Sequence, residues 1–280
     1  MSLLKKIKEL NNFKDKGNFI KLICCEDHIG FVHKKVAKLL LESKLEYFLK
    51  NNNILLKEQK KKLLNITLNN TCELLYKKNI VSQITNEKFP CVSALGKKEY
   101  FVLERSLVEF LGIRGYGVHL TAYVKSNNDI KLWIPRRAKD KKIEPNKLDN
   151  TVAGGISAGE TVKTALFREG EEEASFKKSI LNKAINTGTI SYAWRNKKLA
   201  LRRDTLFLYD LEITNKTFPK NKDGELIEFK LYGWKKVLET IVKTNEFKKN
   251  SGLVLINFLI RRGLITPQNE KKYENICKWL

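Results

Sequence analysis

Residues 154–176 read GGISAGETVKTALFREGEEEASF, and this stretch decides the fold. Its opening is rich in glycine and predicts a loop. Its middle places Val162, Ala165 and Leu166 at three- and four-residue spacing, which is the period of one buried helix face. The second half is strongly acidic. The pattern therefore predicts a loop followed by a helix that presents a buried face and a charged face.

The acidic end of this helix is unusual in a chain of net charge +23. Glu169, Glu172 and Glu173 are related by three and four residues, so their carboxylates share one face. Like charges at this spacing repel one another, and carboxylates near a helix C-terminus also oppose the helix dipole. A bound divalent cation would reverse this penalty, since Mg²⁺ prefers oxygen ligands. A solvated helix end that pairs with Lys177 and Lys178 is the alternative.

The spacing of this stretch resembles the Nudix hydrolase box, G-x5-E-x7-R-E-U-x-E-E-x-G-U, where U is a bulky aliphatic residue. Two positions depart from it, because Gly170 replaces an aliphatic residue and Ser175 replaces the closing glycine. At ordinary residue frequencies the matches have a chance probability on the order of 10⁻⁷ per start position. The matching residues are Gly154, Glu160, Arg168, Glu169, Glu172 and Glu173.

The resemblance implies an enzyme that hydrolyses a diphosphate linked to an organic group, with Mg²⁺ or Mn²⁺ as cofactor. The resemblance also implies that Gly154, Glu160 and Arg168 orient the metal-binding turn. Arg168 and Glu172 are expected to be catalytic. The implied metal ligands are Glu169, Glu172, Glu173 and the carbonyl of Ala153.

Residues outside the box complete the predicted site. Arg136, Arg137 and Lys141 cluster before the box, where their charges could bind a diphosphate; a solvated basic turn is the alternative. Glu225 is the candidate for an extra carboxylate that acts as general base or metal ligand. Tyr192 could stack on a substrate ring, although core packing is the competing interpretation.

The resemblance extends to one branch of two-domain Nudix proteins, related to the region fused ahead of fungal thiamine pyrophosphokinase. This branch implies removal of phosphate from thiamine diphosphate or its oxidised forms, leaving the monophosphate. Two rival functions stay open. One is hydrolysis of a nucleoside diphosphate linked to another group, such as ADP-ribose or a dinucleoside polyphosphate. The other is a non-catalytic Nudix-fold module that binds RNA.

The predicted helices and strands indicate an α/β (α+β) protein with a mixed sheet. Together with the resemblance, they imply an α/β/α Nudix sandwich at 115–280, preceded by a small α/β accessory domain at 1–114. The glycines within 112–117 suggest a linker or turn, and 119–124 with 130–134 suggest a hairpin. The accessory domain could cover the substrate or form a homodimer. Further strands are expected at 19–24, 54–56, 187–192, 205–213 and 226–231, and helices at 2–14, 33–43, 67–78, 234–242 and 250–262.

The composition of the chain limits the classes of partner and the cellular location that we expect. The positive charge is spread evenly, since residues 1–110 carry 21 basic and 12 acidic residues and the remainder carries 33 and 19. Because most of the basic residues are lysines, a dedicated nucleic-acid surface is not expected. No apolar run reaches the roughly 20 residues of a membrane span. Five cysteines without CxxC spacing favour the reducing cytoplasm. The expected partner is a small diphosphate substrate.

Overall fold

The computed structural model describes residues 2–13, 17–57, 60–126, 129–141, 143–197, 199–214 and 216–280, the side chains of 196 and 197 apart. The elements follow in the order α1 (Leu3–Leu10), β1 (Phe19–Cys24), β2 (Asp27–His33), α2 (Lys34–Glu42), β3 (Tyr47–Lys50), β4 (Asn53–Leu56), α3 (Lys61–Lys77), β5 (Lys88–Val92), β6 (Glu99–Glu104), α4 (Arg105–Leu111), β7 (Arg114–Ser126), β8 (Asp129–Arg137), β9 (Val152–Gly155), α5 (Val162–Ala174), α6 (Lys178–Leu181), β10 (Ile185–Lys197), β11 (Ala200–Glu212), β12 (Leu226–Gly233), α7 (Trp234–Lys243), α8 (Lys249–Arg261) and α9 (Tyr273–Cys277).

A mixed sheet forms the centre of the C-terminal half, in the order β10-β11-β7-β8-β12, with β9 also paired to β7. β7 and β11 run parallel, and the other pairs are antiparallel. One face of the sheet packs on α5 and α6, and the opposite face packs on α7 and α8. This arrangement confirms the predicted α/β/α sandwich. The predicted hairpin is β7–β8, although its turn at 127–128 lies outside the described residues.

The N-terminal half contains a second, smaller core. A four-stranded sheet in the order β2-β1-β4-β3 and the hairpin β5–β6 pack with α2, α3 and α4 around it. Fully buried residues such as Leu22, Leu40, Ile54, Leu68 and Phe101 fill this core. A separate unit of strands and helices therefore precedes the sandwich, as predicted.

The first helix contributes its buried side chains to the core of the sandwich and not to the core of the N-terminal unit. The buried side chains of Leu3, Ile7 and Leu10 in α1 join the core beside α7 and α8. Lys6 Nζ donates to the Thr244 carbonyl at 2.6 Å. The helix is also shorter than the predicted 2–14, and residue 14 lies outside the described part. The chain therefore starts on the sandwich and crosses to the accessory unit only afterwards.

The glycine-rich segment at 112–117 is only partly a turn, so the linker prediction is wrong beyond its first residues. Gly112 has φ +56° and ends α4, but β7 already begins at Arg114. Gly115 and Gly117 lie in the buried part of this strand. A Cβ on Gly117 would approach the Gly154 carbonyl oxygen to 2.9 Å, so this glycine lets β9 pack closely against β7. Across the described chain, no helix is both long and apolar enough to span a membrane.

Candidate active site

The box helix α5 begins with a reciprocal cap. Thr161 Oγ1 accepts from the Thr164 backbone N–H at 3.1 Å, and Thr164 Oγ1 accepts from the Thr161 N–H at 2.8 Å. Such a capping box satisfies two of the backbone donors that a helix start leaves open. Ala165 and Leu166 then bury one side of the helix under the sheet. The acidic side is thereby directed towards β9 and the loop before the helix.

The two departures from the box have local structural explanations. A Cβ on Gly170 would lie 2.6 Å from Leu181 Cδ2, because α6 places this leucine where an aliphatic box residue would stand. Ser175 ends the helix with φ +55°, the left-handed conformation that a glycine adopts more readily. Its hydroxyl donates to the Lys220 carbonyl at 2.9 Å. Neither departure removes a carboxylate from the acidic face.

Gly154 is required by the close approach of a carboxylate. A Cβ at this position would lie only 1.8 Å from Cδ of Glu169 and 1.9 Å from its Oε1. The Glu169 side chain therefore rests directly against the backbone of β9. The structure thus gives the first glycine of the box a steric role.

Arg168 connects the loop to the acidic face. Its Nε donates to Glu160 Oε1 at 2.6 Å and its Nη2 to Glu160 Oε2 at 3.0 Å. Nη2 also donates to the Gly155 carbonyl, while Nη1 donates to Glu169 at 2.8 Å and to Glu172 at 3.2 Å. These ion pairs raise the pKa of Arg168, with Glu160 contributing most. The guanidinium therefore remains charged and holds both ends of the box together.

Glu160 in turn fixes the loop. Its Oε2 accepts from the Ser157 backbone N–H at 2.8 Å. Although burial opposes the charged form, the hydrogen bonds from Arg168 and Ser157 hold the pKa of Glu160 below its ordinary value. The Glu160 carboxylate thus anchors the loop that carries Gly154.

Two glutamates on the acidic face are withdrawn from water. Glu173 is 4 % exposed, and its Oε2 accepts from the Ala153 backbone N–H at 2.8 Å. Burial and the nearby Glu169 raise the pKa of Glu173. Burial also raises the pKa of Glu169, with Glu172 and Glu225 adding repulsion that Arg168 only partly offsets. Negative charge in this place is costly, so the donors suit a hard divalent cation.

The carboxylates are not preassembled around one point. Among the residues that the structure describes, no three His, Cys, Asp or Glu side chains stand close enough together to hold a metal ion as arranged. Arg168 Nη1 lies against both Glu169 and Glu172, and the Glu172 side chain is 48 % exposed. Oxygen donors of the right kind are therefore present, but some must move before they can share a cation.

Glu225 lies at the edge of this site. Its negative charge contributes to the raised pKa of Glu169, although the two residues are far apart in sequence. The Glu225 side chain is 43 % exposed and forms an ion pair with Lys141. The structure thus brings the predicted extra carboxylate and one predicted phosphate-binding lysine together beside the box.

The remaining predicted substrate residues lie elsewhere. Arg136 pairs with Glu246 at 3.0 Å and with Glu228 at 3.9 Å, in a surface cluster. Arg137 is buried, and its Nη1 donates to Asp149 at 3.0 Å. The prediction that Arg137 contacts phosphate is wrong, because its guanidinium is enclosed by Asp149 and two backbone carbonyls.

Tyr192 is also a core residue. It is 4 % exposed, and its hydroxyl donates to Asp204 Oδ2 at 2.5 Å. Its ring faces α8, on the side of the sheet opposite α5. The predicted stacking of Tyr192 on a substrate ring is therefore wrong, and the competing core interpretation is correct.

A buried polar cluster behind β9 was not anticipated from the sequence. Asp149 accepts from Arg137, from Lys248 Nζ at 3.1 Å and from the Ser251 hydroxyl. Burial disfavours its charge, but Lys248 and Arg137 lower the pKa of Asp149 to about 2. The neighbouring Asn150 accepts from His119 Nδ1 at 2.8 Å.

This cluster keeps one histidine neutral. Burial, and next Lys248, lower the pKa of His119 to about 4. His119 pairs through its backbone with Ala153 on β9, so the cluster supports the strand that carries the predicted carbonyl ligand. The sequence did contain one signal for this cluster. Asp149 directly follows the apolar Leu148, and a charged side chain next to a buried segment needs a partner.

Two family models match adjacent parts of the chain. The NUDIX domain matches residues 116–251, and the domain of unknown function DUF4743 matches residues 2–115. Nudix hydrolase 20, chloroplastic, of Arabidopsis thaliana is 34 % identical over 278 residues, which cover 94 % of this chain and 74 % of that protein. Nudix hydrolase 24, chloroplastic, of the same plant is 32 % identical, covering 95 % and 74 %.

One solved structure is similar to this chain at a lower sequence identity. DR0079 from Deinococcus radiodurans aligns with a TM-score of 0.47 and 20 % identity, over 61 % of this chain and 98 % of that chain. The two plant relatives extend across both halves of the chain and carry the family assignment. The chain belongs to the Nudix hydrolase family and is a hydrolase that acts on diphosphate bonds.

Proposed function

We propose that this enzyme hydrolyses the diphosphate of a small organic substrate with the help of Mg²⁺ or Mn²⁺. The ligands proposed for the metal are Glu169, Glu172, Glu173 and the carbonyl of Ala153. The observation that carries the proposal is the burial of two carboxylates side by side, at a cost that raises the pKa of both. A bound divalent cation supplies positive charge against the phosphate oxygens and acidifies bound water.

The residues around the carboxylates have distinct proposed roles. Arg168 orients Glu169 through its Nη1 and anchors the loop through Glu160. Glu225 is the first candidate for the base that takes a proton from the attacking water, since its carboxylate is both open to solvent and close enough to influence Glu169. Lys141, paired with Glu225, is placed to meet a phosphate oxygen.

The identity of the organic group is the finer part of the proposal. Resemblance to the branch fused with thiamine pyrophosphokinase favours thiamine diphosphate or its oxidised derivatives, hydrolysed to the monophosphate and phosphate. A nucleoside diphosphate linked to another group is the second enzymatic candidate. A purely RNA-binding module is less consistent with the site, because binding RNA gives no reason to retain buried, self-repelling carboxylates.

A panel of diphosphates separates these candidates. Hydrolysis with Mg²⁺ is measured for thiamine diphosphate, its oxidised form, ADP-ribose and dinucleoside polyphosphates by separating the products chromatographically, because cleavage of the nucleotides yields two phosphorylated products and no free phosphate. We expect the thiamine compounds to turn over fastest. Much faster turnover of a nucleotide would contradict the thiamine assignment, and no turnover of any diphosphate would contradict the hydrolase mechanism.

Replacement of Glu172 tests the role of the acidic face. Glu172→Gln should lower turnover by orders of magnitude. The melting temperature should stay nearly equal, because the lost repulsion from Glu169 offsets the loss of the exposed ion pair with Arg168. Glu171→Gln is the matched control, since Glu171 is the adjacent exposed residue and pairs only weakly with Lys222 at 3.4 Å. A large loss of stability in Glu172→Gln, with activity retained, would assign this residue a structural role instead.

The proposal also covers the cellular location of the enzyme and the role of its accessory unit. We propose that the enzyme works in the cytoplasm, because all five cysteines are free thiols. We also propose that the accessory unit either covers the substrate or forms a homodimer. Fractionation of cells and sedimentation of the purified protein test these two statements.

A further inference from the structure

A second polar surface lies on the same side of the central sheet as α5. Ser191 on β10 and Thr205 on β11 share a hydrogen bond of 2.8 Å between their hydroxyls. Arg114 on β7 donates from Nη1 to Thr205 Oγ1, also at 2.8 Å. Ser191 is exposed, and the other two residues are half-buried. We call this area, together with Arg203, the open sheet face.

Arg114 and Arg203 are direct neighbours on this face. They are register partners in the parallel pair of β7 and β11. Arg203 Nη1 donates to the Gly112 carbonyl at 3.1 Å, and its guanidinium lies 5.0 Å from the ring centre of Phe31 in the accessory unit. The two arginines therefore meet where the accessory unit joins the sandwich.

Neither arginine forms an ion pair with a carboxylate of the described residues. Within the described part of the chain, seven other arginines do contact Asp or Glu. Those seven are Arg105, Arg136, Arg137, Arg168, Arg202, Arg261 and Arg262. Burial and the charge of Arg114 lower the pKa of Arg203 to about 10. Two half-buried, mutually repelling cations are stabilised by an anion between them.

The open sheet face lies within reach of the acidic face. Gly154, against which Glu169 rests, pairs with Val118 on β7. Arg114 precedes Val118 by four residues, which corresponds to about 13 Å along a strand. Both residues project to the same side of the sheet because their separation is even. The buried side chains of Tyr116 and Val118, packed against Val92 and Leu95 of the accessory unit, fill the direct line between the two faces, so a ligand that contacts both places must pass along the edge of this cluster.

We propose that Arg114 and Arg203 form a second anion-binding site, which takes a phosphate group. Planar guanidinium groups bind phosphate oxygens in pairs, and the Thr205 and Ser191 hydroxyls supply further polar contacts. The phosphate has two possible sources. It belongs either to the far end of a substrate whose diphosphate lies at the carboxylates, which rests on the proposed function, or to free inorganic phosphate. Thiamine diphosphate carries no phosphate besides its diphosphate, so the first source corresponds to the second enzymatic candidate, a nucleoside diphosphate derivative with a further phosphate.

Calorimetric titration with inorganic phosphate and pyrophosphate in EDTA tests the site without any turnover. We expect Arg114→Gln and Arg203→Gln each to weaken binding roughly tenfold or more, as expected for the loss of a charge-assisted hydrogen bond. Arg203→Lys should have an intermediate effect, since it keeps the charge and loses the planar fork. Lys243→Gln, an equal charge change on the exposed surface of α7, should leave binding within twofold. Circular dichroism checks that each variant is folded.

A matched pair of substrates then identifies the source. A lower KM for 2′-phospho-ADP-ribose than for ADP-ribose, lost in Arg203→Gln, would support a phosphate carried by the substrate. Binding of inorganic phosphate without this preference would support the site with free phosphate as its ligand. Absence of phosphate and pyrophosphate uptake by the unmodified protein, or unchanged uptake by folded Arg114→Gln, would overturn the proposal. Because the titration needs neither metal nor catalysis, this failure is distinct from a failure of the proposed hydrolysis.

Discussion

The replacement Gly154→Ala should lower the catalytic activity strongly and the stability of the fold only slightly. A Cβ at this position would stand 1.8 Å from Cδ of Glu169, whereas ordinary contacts begin at 3.4 Å. The carboxylate must then retreat by about 1.6 Å. Misplacement of a catalytic group by about 1 Å can cost roughly 100-fold in rate, so we expect kcat/KM to fall by at least that factor, or about 2.7 kcal/mol. The three nearest atoms, Cγ of Glu169 at 2.3 Å among them, all belong to this one side chain and none to the backbone, so the melting temperature should change by only a few degrees.

The assay combines phosphate release, Mn²⁺ titration and thermal unfolding of the same preparations. Gly252→Ala is the matched control, because a Cβ there meets no atom within 4 Å and the position lies inside α8. This control should keep full activity and gain some stability. If Gly154→Ala binds Mn²⁺ and turns over substrate like the unmodified enzyme, Glu169 does not need its place against β9, and the steric role assigned to Gly154 is refuted.

Two further predictions concern stability. Gly170→Leu should destabilise the fold by about 1–3 kcal/mol in denaturant unfolding, because Leu181 already occupies the space, and adding Leu181→Ala should recover part of that loss. Equal losses with and without Leu181 would contradict this explanation. Asp149 has a pKa lowered to about 2 from 3.8, so its charge stabilises the fold by about 2 kcal/mol above pH 4, a contribution that disappears as the pH falls towards 2. Asp149→Asn should abolish this pH dependence and lower the free energy of unfolding by about 3–5 kcal/mol at pH 7, since Lys248 and Arg137 lose their partner. A variant whose stability varies with pH in parallel with the unmodified protein would contradict this role of Asp149.

The box itself was the part of the site most open to prediction from sequence. The spacing of Glu160, Arg168 and Glu169 predicts one connected group, and the structure brings these side chains into hydrogen-bond contact. Helix periodicity and fixed spacing act within one segment, so they can be read locally. The same holds for β1, whose predicted bounds match the structure at 19–24.

Long-range partners could not be deduced in this way. Arg137 follows Arg136 directly, yet the alternation of the strand directs one to a surface cluster and the other to the buried Asp149. Tyr192 lies in an alternating strand whose inward face is set by α8, which is distant in sequence. The short strands β5 and β6 were missed, since their pairing depends on tertiary contacts more than on residue preference. The packing of α1 on α8 also joins residues more than 240 positions apart.

The central claim is that buried, mutually repelling carboxylates are retained to bind a divalent cation. Calorimetric titration of the metal-free protein with Mn²⁺ tests it most directly, with Glu173→Gln and Glu171→Gln measured alongside. We predict saturable uptake by the unmodified protein and by Glu171→Gln, and a strong reduction in Glu173→Gln. No uptake of Mn²⁺ or Mg²⁺ by the folded protein, with or without a diphosphate compound, would contradict the account.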